Sequence, residues 1–215
     1  MEAAGELYAV AANKTYTKPN QYKSAPYVLV NGVALKKSDY TVTYYLGDSV
    51  MSSSNKVTLA AGETPATVRV EIKGKKNYKG TVETTFKVES GTTDLSKTKI
   101  AVKDKKVEYT GEAVYPSSIE IKVNGTPITL NYDANTDSWL TTNGAASQDF
   151  DIEVVNNIAK GKATIIVNGD GTTTVGSKTA TFSVVSRDLK KVPAESFWAD
   201  FSSTILSWPG LWSVR

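Results

Sequence analysis

Val28-Leu29-Val30-Asn31-Gly32-Val33-Ala34-Leu35 sets an Asn-Gly pair between two apolar runs, and Ile119-Glu120-Ile121-Lys122-Val123-Asn124-Gly125 sets the same pair 93 positions later. Asn-Gly tolerates the positive φ angles of a type I′ turn, so the first pair reads as a tight hairpin. The second is expected to be looser, because Pro127 follows closely. Other landmarks keep nearly the same spacing. Tyr16 returns as Tyr109 after 93 positions, Phe86 as Phe182 after 96, and Asp94-Leu95-Ser96-Lys97 as Asp188-Leu189-Lys190-Lys191 after 94. Such self-similarity marks a repeated structural unit.

Within each unit the apolar period is two. Val68, Val70 and Ile72 alternate with Arg69, Glu71 and Lys73, and Val82, Thr84, Phe86 and Val88 with Glu83, Thr85 and Lys87. In the second unit Ile119, Ile121 and Val123 alternate with Glu120 and Lys122, as Phe150, Ile152 and Val154 do with Asp151 and Glu153. That pattern belongs to strands with one wet face, and the dry face needs a second sheet to cover it. The chain therefore reads as all-β. With about seven short strands in each unit, it reads more specifically as two tandem immunoglobulin-like β-sandwich modules. The first is assigned to 1–90 and the second to 95–187. Glu89-Ser90-Gly91-Thr92-Thr93 reads as a short polar link that leaves the modules end to end.

Composition narrows the chemistry. Val, Ile, Tyr and Thr suit pleated sheets, and 40% of the 215 residues are hydrophobic, enough for ordinary cores. Neither cysteine nor histidine is present, which removes disulfides, thiolate nucleophiles, Ser-His-Asp triads and zinc-His sites. Carboxylates are scattered over exposed strand faces and no catalytic pair can be set opposite another, so no enzyme is expected. Twenty-five basic and 22 acidic residues, net +3, are interspersed along strands. This is a solvated sheet face rather than a nucleic-acid stripe. No stretch is long enough to span a bilayer. Residues Met1 to Glu6 lack the basic and apolar regions of a signal peptide, so an export signal is expected to lie outside this chain.

The motif order resembles the tandem immunoglobulin-like (MBG-type) repeats of Gram-positive surface proteins and adhesins. It is carried by Asp39-Tyr40-Thr41-Val42-Thr43-Tyr44 and Val70-Glu71-Ile72-Lys73-Gly74-Lys75-Lys76-Asn77-Tyr78-Lys79-Gly80 in the first module. In the second it is carried by Tyr109-Thr110-Gly111 and Gly161-Lys162-Ala163-Thr164-Ile165-Ile166-Val167-Asn168-Gly169. Lys18 stands where the Gly of Tyr-Thr-Gly is expected. The resemblance covers about 13–191. It implies an extracellular, cell-surface location, anchoring by elements outside this chain, and no catalytic residues. Structural spacing is the function it suggests, with neighbouring repeats of the same chain as partners.

The alternative is an adhesin-type module that binds a glycan or a host surface protein through the insert loops 46–65 and 131–148, since loops vary while scaffolds persist. Tyr16, Tyr40, Tyr44 and Tyr109 fall in phase with apolar positions and are expected in the core. Tyr45, Tyr115, Tyr132 and Trp139 fall out of phase or in loops, and these are the candidate ligand-binding residues. Asp133, Asn135 and Asp137 have the oxygen spacing that opens a calcium loop, but Ser138 and Gly144 occupy the positions where an EF-hand needs Gly and Glu. No cofactor is otherwise indicated. The Lys, Asn and buried-acid set of an intramolecular isopeptide bond is not visible on the closing strands, which contain no Asn.

A third repeat begins at Asp188 and then breaks off. Residues 188–215 are read as its truncated start followed by a non-module tail holding Trp198, Trp208 and Trp212.

Overall fold

The computed structural model describes residues 7–60, 63–144 and 149–187. The Trp-rich tail lies outside the described residues. The described chain is all-β, interrupted by two single-turn 3-10 segments at Lys37–Asp39 and Leu95–Lys97.

The first half contributes β1 (Leu7–Val10), β2 (Lys14–Thr15), β3 (Tyr27–Val30), β4 (Val33–Ala34), β5 (Tyr40–Leu46), β6 (Ser49–Val50), β7 (Ala66–Gly74) and β8 (Thr81–Glu89). They form a three-stranded sheet, β1-β3-β4, and a five-stranded sheet, β2-β8-β7-β5-β6. Val28 from the first sheet meets Val68, Val70, Ile72, Phe86 and Val88 from the second in one buried cluster. As the alternation predicts, Val68, Val70 and Ile72 point inward while Lys73 is exposed.

The second half contributes β9 (Thr93–Asp94), β10 (Lys99–Val102), β11 (Lys106–Glu108), β12 (Ser118–Val123), β13 (Thr126–Asp133), β14 (Ser138–Thr141), β15 (Phe150–Val155), β16 (Gly161–Gly169), β17 (Thr174–Val175) and β18 (Ser177–Val185). Its sheets are β10-β12-β13-β14 and β11-β18-β16-β15, and Ile119, Ile121 and Leu130 of one pack with Ile165, Val167 and Phe182 of the other. The strand order repeats that of the first half. In both, a short strand pairs in parallel with the closing strand, β2 on β8 and β11 on β18.

Both Asn-Gly pairs are two-residue hairpin turns. Asn31 and Gly32 have φ of 50° and 75°, and Asn124 and Gly125 have 48° and 86°. The looser second turn expected from Pro127 is not what forms. Pro127 stands opposite Lys122, one step beyond the Val123–Thr126 pair that closes the turn. Hydrogen-bonded and non-hydrogen-bonded pairs alternate along an antiparallel ladder, so the missing N–H falls at a position that donates nothing to β12.

The halves are not strung end to end. Val10, Ala12 and Leu29 of the first half bury against Val155 and Ile166 of the second, with Tyr27 at the edge. Strands β1 and β3 therefore cover the outer face of β15 and β16. A fully buried aliphatic side chain of this kind contributes about 1.5–3 kcal/mol. The expected free link is also structured, since Glu89 is 0% exposed and Thr93 pairs in parallel with Thr174.

Candidate functional site

Three of the four candidate aromatics meet at one sheet edge. β13 and β14 pair antiparallel with Tyr132 directly opposite Trp139. The two rings lie 5.5 Å apart at 57°. Tyr115 comes from the segment between β11 and β12 and stacks on Tyr132, centroids 3.9 Å apart and planes at 18°. That segment is pinned from both ends. Asn157 Nδ2 donates to the Val114 carbonyl (3.1 Å), the Val114 amide donates to the Asn157 carbonyl (3.1 Å), and the Ser117 amide donates to Asp104 Oδ2 (2.9 Å). An aromatic pair of this kind adds roughly 0.5–1.5 kcal/mol beyond area burial. The inner side of Trp139 packs on the second-half core.

The Tyr132 hydroxyl donates to Asp137 Oδ1 at 2.6 Å. Burial first, then the Asp137 carboxylate, hold this phenol well above its usual range. Asp137 sits at φ 49° in the turn joining β13 to β14. Across the turn, Asp133 Oδ1 accepts the Asn135 amide (3.0 Å) and its side-chain Nδ2 (3.1 Å), while Oδ2 accepts the Thr136 hydroxyl (3.0 Å). These donors hold the Asp133 carboxyl below its ordinary value. Asp133 thus caps this hairpin, as Asp does in an Asx-turn. Among the described residues no group of three or more His, Cys, Asp or Glu is gathered tightly enough to hold a metal ion.

Tyr45 lies elsewhere, on the five-stranded sheet. Its ring is covered by the Arg69 guanidinium, 4.1 Å from the centroid. Arg69 in turn pairs with Glu83. The described part of the 46–65 insert is tied down at Met51 and Val57, which are buried in the first core, and Asn20 bridges to Val57.

Compared with known proteins, the chain matches no family model, and no curated protein is significantly similar to it. The site must be read from its own chemistry. Among the described residues no helix is long and apolar enough to cross a membrane.

The seam between the halves holds polar residues that sequence reasoning missed. Glu89 Oε1 accepts from Asn13 Nδ2 (2.9 Å) and Oε2 from the Gly176 amide (2.8 Å). The Asn13 amide donates to Asn168 Oδ1 (3.0 Å), Ser177 Oγ to the Asn13 carbonyl (2.8 Å), and Thr15 Oγ1 to Asp94 Oδ1 (2.7 Å). Burial pushes the Glu89 carboxyl up to about 7, against the pull of the Gly176 N–H and Lys87 and with a further push from Asp170. At the rim Tyr8 donates to Glu153 Oε2 (3.0 Å), and burial beside that carboxylate pushes the phenol up to about 12. Here the seam opens into a cleft of about 490 Å3. Its acids, Asp151, Glu153 and Asp170, all stand on the second-half wall, and Lys87 and Asn13 face them from the first. One sequence signal for the seam was available. Ile165-Ile166-Val167 and Val28-Leu29-Val30 are continuous apolar runs, which alternation with a wet face does not produce.

Proposed function

We propose that the chain is a non-catalytic spacer segment of a secreted bacterial cell-surface protein, made of two immunoglobulin-like sandwich repeats, 1–90 and 95–187. The matching strand order of the halves, their separate apolar cores and the resemblance of their turn motifs to surface repeats support this reading. The observation that carries it is the seam. A spacer has to fix the distance between what lies before and after it, and buried apolar and hydrogen-bonded contacts tie one half to the other. Thermal melts against a panel of oligosaccharides and matrix proteins should show an unchanged midpoint, because a spacer has no ligand to stabilise its folded state. A concentration-dependent rise with any one of them rejects a purely structural role.

The Tyr115–Tyr132–Trp139 cluster favours a second reading, an adhesin-type module whose aromatic edge stacks on a sugar ring, with Asp137 beside it as a hydrogen-bond partner. On a glycan array this reading predicts binding that disappears in Trp139→Ala and Tyr115→Ala. A blank array with the unaltered protein counts against it.

A further inference from the structure

The two surfaces that meet at the seam each have a counterpart elsewhere in the repeat. On β1 and β3 the outward residues are Tyr8, Val10, Tyr27 and Leu29, paired Tyr8 with Leu29 and Val10 with Tyr27. The corresponding strands of the second half are β10 and β12. There Ile100, Val102, Ile119 and Ile121 face or pack against the core, leaving Lys99, Ala101, Glu120 and Lys122 outward. The receiving surface is β15 and β16, with Val155 and Ile166 buried. Aligning the sheets by register, Phe150 opposite Gly169 and Tyr40 opposite Gly74, sets Ile166 in the place of Glu71, Asn168 in that of Lys73, and Val155 in that of Tyr45. At the seam end the same holds. Phe86 corresponds to Phe182, so buried Glu89 corresponds to Val185.

Each half thus has one face with a buried apolar patch, its acids kept to the rim of the cleft, and one charged face, and only the apolar patches are complementary. Stacking a further repeat in the same geometry would bury Glu71 and Lys73 on one side, or Lys99, Glu120 and Lys122 on the other. Burying charged groups without matched partners is unfavourable. We propose that docking closes after two copies: the pair is the folding and spacing unit, unfolding as one body, and any neighbouring repeat attaches through a different contact. This rests on the two-repeat part of the functional reading and adds the rule by which such repeats are grouped.

The test compares one substitution at two equivalent positions in the full chain. Hydrogen exchange under graded urea reads the β7–β8 amides as a monitor of the first half and the β16–β18 amides as a monitor of the second. In the unaltered protein both sets should share one unfolding transition. Ile166→Lys should split it into two, whereas Glu71→Lys should leave it single. Should Ile166→Lys fail to fold, Leu29→Ala removes contact from the opposite side of the seam without introducing charge and should likewise separate the transitions. Two independent transitions in the unaltered protein, or the same response to Ile166→Lys and Glu71→Lys, overturns the proposal. Such a failure shows halves that unfold separately and leaves the spacing fixed by the folded seam, and so the spacer reading, standing. Ligand-induced melting shifts, by contrast, would reject the spacer and leave the closed pair standing.

Discussion

Stability should fall as pH climbs from about 4.5 to about 7, by up to about 3 kcal/mol. Glu89 carries this effect, its carboxyl having been pushed up to about 7 from an ordinary value of 4.5 by burial in the seam. Between those values the unfolded chain has already released the proton that the folded chain still holds, so each step upward favours unfolding. Every pH unit that separates the folded from the unfolded value corresponds to about 1.4 kcal/mol, which sets the upper bound. The loss is complete once pH passes the folded value. Glu153, raised by its own burial, acts in the same direction above 4.5. Asp39, Asp94, Asp104, Asp133 and Asp170 act oppositely and lower, since their carboxyls are held below the ordinary 3.8. Their stabilisation is present above that value and lost as pH falls through the lowered ones. The optimum should therefore lie on the acid side, near pH 4 to 5, rather than at neutrality. Urea midpoints at a series of pH values read it directly. Glu89→Gln carries no titrating proton and should remove most of the slope. A slope unchanged in that variant would assign the effect to other groups.

Gly169→Ala should cost about 3–5 kcal/mol, a large share of the roughly 5–15 kcal/mol that holds an ordinary domain folded. Gly169 ends β16, and its amide donates to the Gly176 carbonyl at 2.9 Å across a loop that Asp170 caps through the Thr172 and Thr174 amides. A Cβ at this position would sit 2.3 Å from the Thr174 carbonyl oxygen and 2.5 Å from its carbon. Both are backbone atoms of a hydrogen-bonded turn, so neither can swing aside as a side chain would. The equivalent glycine of the first half makes the same close approach. Gly74 bonds Gly80 through its amide, and its Cβ would lie 2.7 Å from the Tyr78 carbonyl. The glycine that helps define the repeat motif is thus there for backbone approach. Gly47→Ala makes a control, because nothing lies within 4 Å of its Cβ and only its φ of 59° is disfavoured. It should cost about 1 kcal/mol. Thermal denaturation of the two variants checks the contrast.

How much of this is legible in the sequence depends on how many faces of a strand are wet. Val68, Val70 and Ile72 face the core as alternation requires, because β7 keeps Lys73 in solvent. β16 defeats the same rule. Ile165 and Val167 enter the core while Ile166 enters the seam, and a period-two reading cannot assign the second dry face. Phase places Tyr109 in the core, two positions beyond Val107, yet it is 39% exposed. β11 ends at Glu108, and the Tyr109 ring lies beneath the Lys160 amine instead. Tyr40 is buried as expected, and Tyr16 and Tyr44 are half-buried against the core. Three of the four aromatics assigned out of phase or to loops, Tyr115, Tyr132 and Trp139, meet in space, but Trp139 also packs against the core, and Tyr132 shares the face of buried Leu130. Phase cannot say that Tyr45 belongs to another sheet, since it reports the face of a strand and not its neighbours. Glu89 is hidden for a similar reason, since a lone acid beside a polar link looks solvated until the chain around it closes.

The cysteine-free sequence offers the most direct test of a locked spacer. Spin labels placed on Lys56→Cys in the first half and Lys122→Cys in the second, both exposed positions, report the distance between the halves by pulsed electron resonance. A fixed seam predicts one narrow distance distribution. A broad distribution, of the kind given by two bodies swinging on a flexible link, would contradict it.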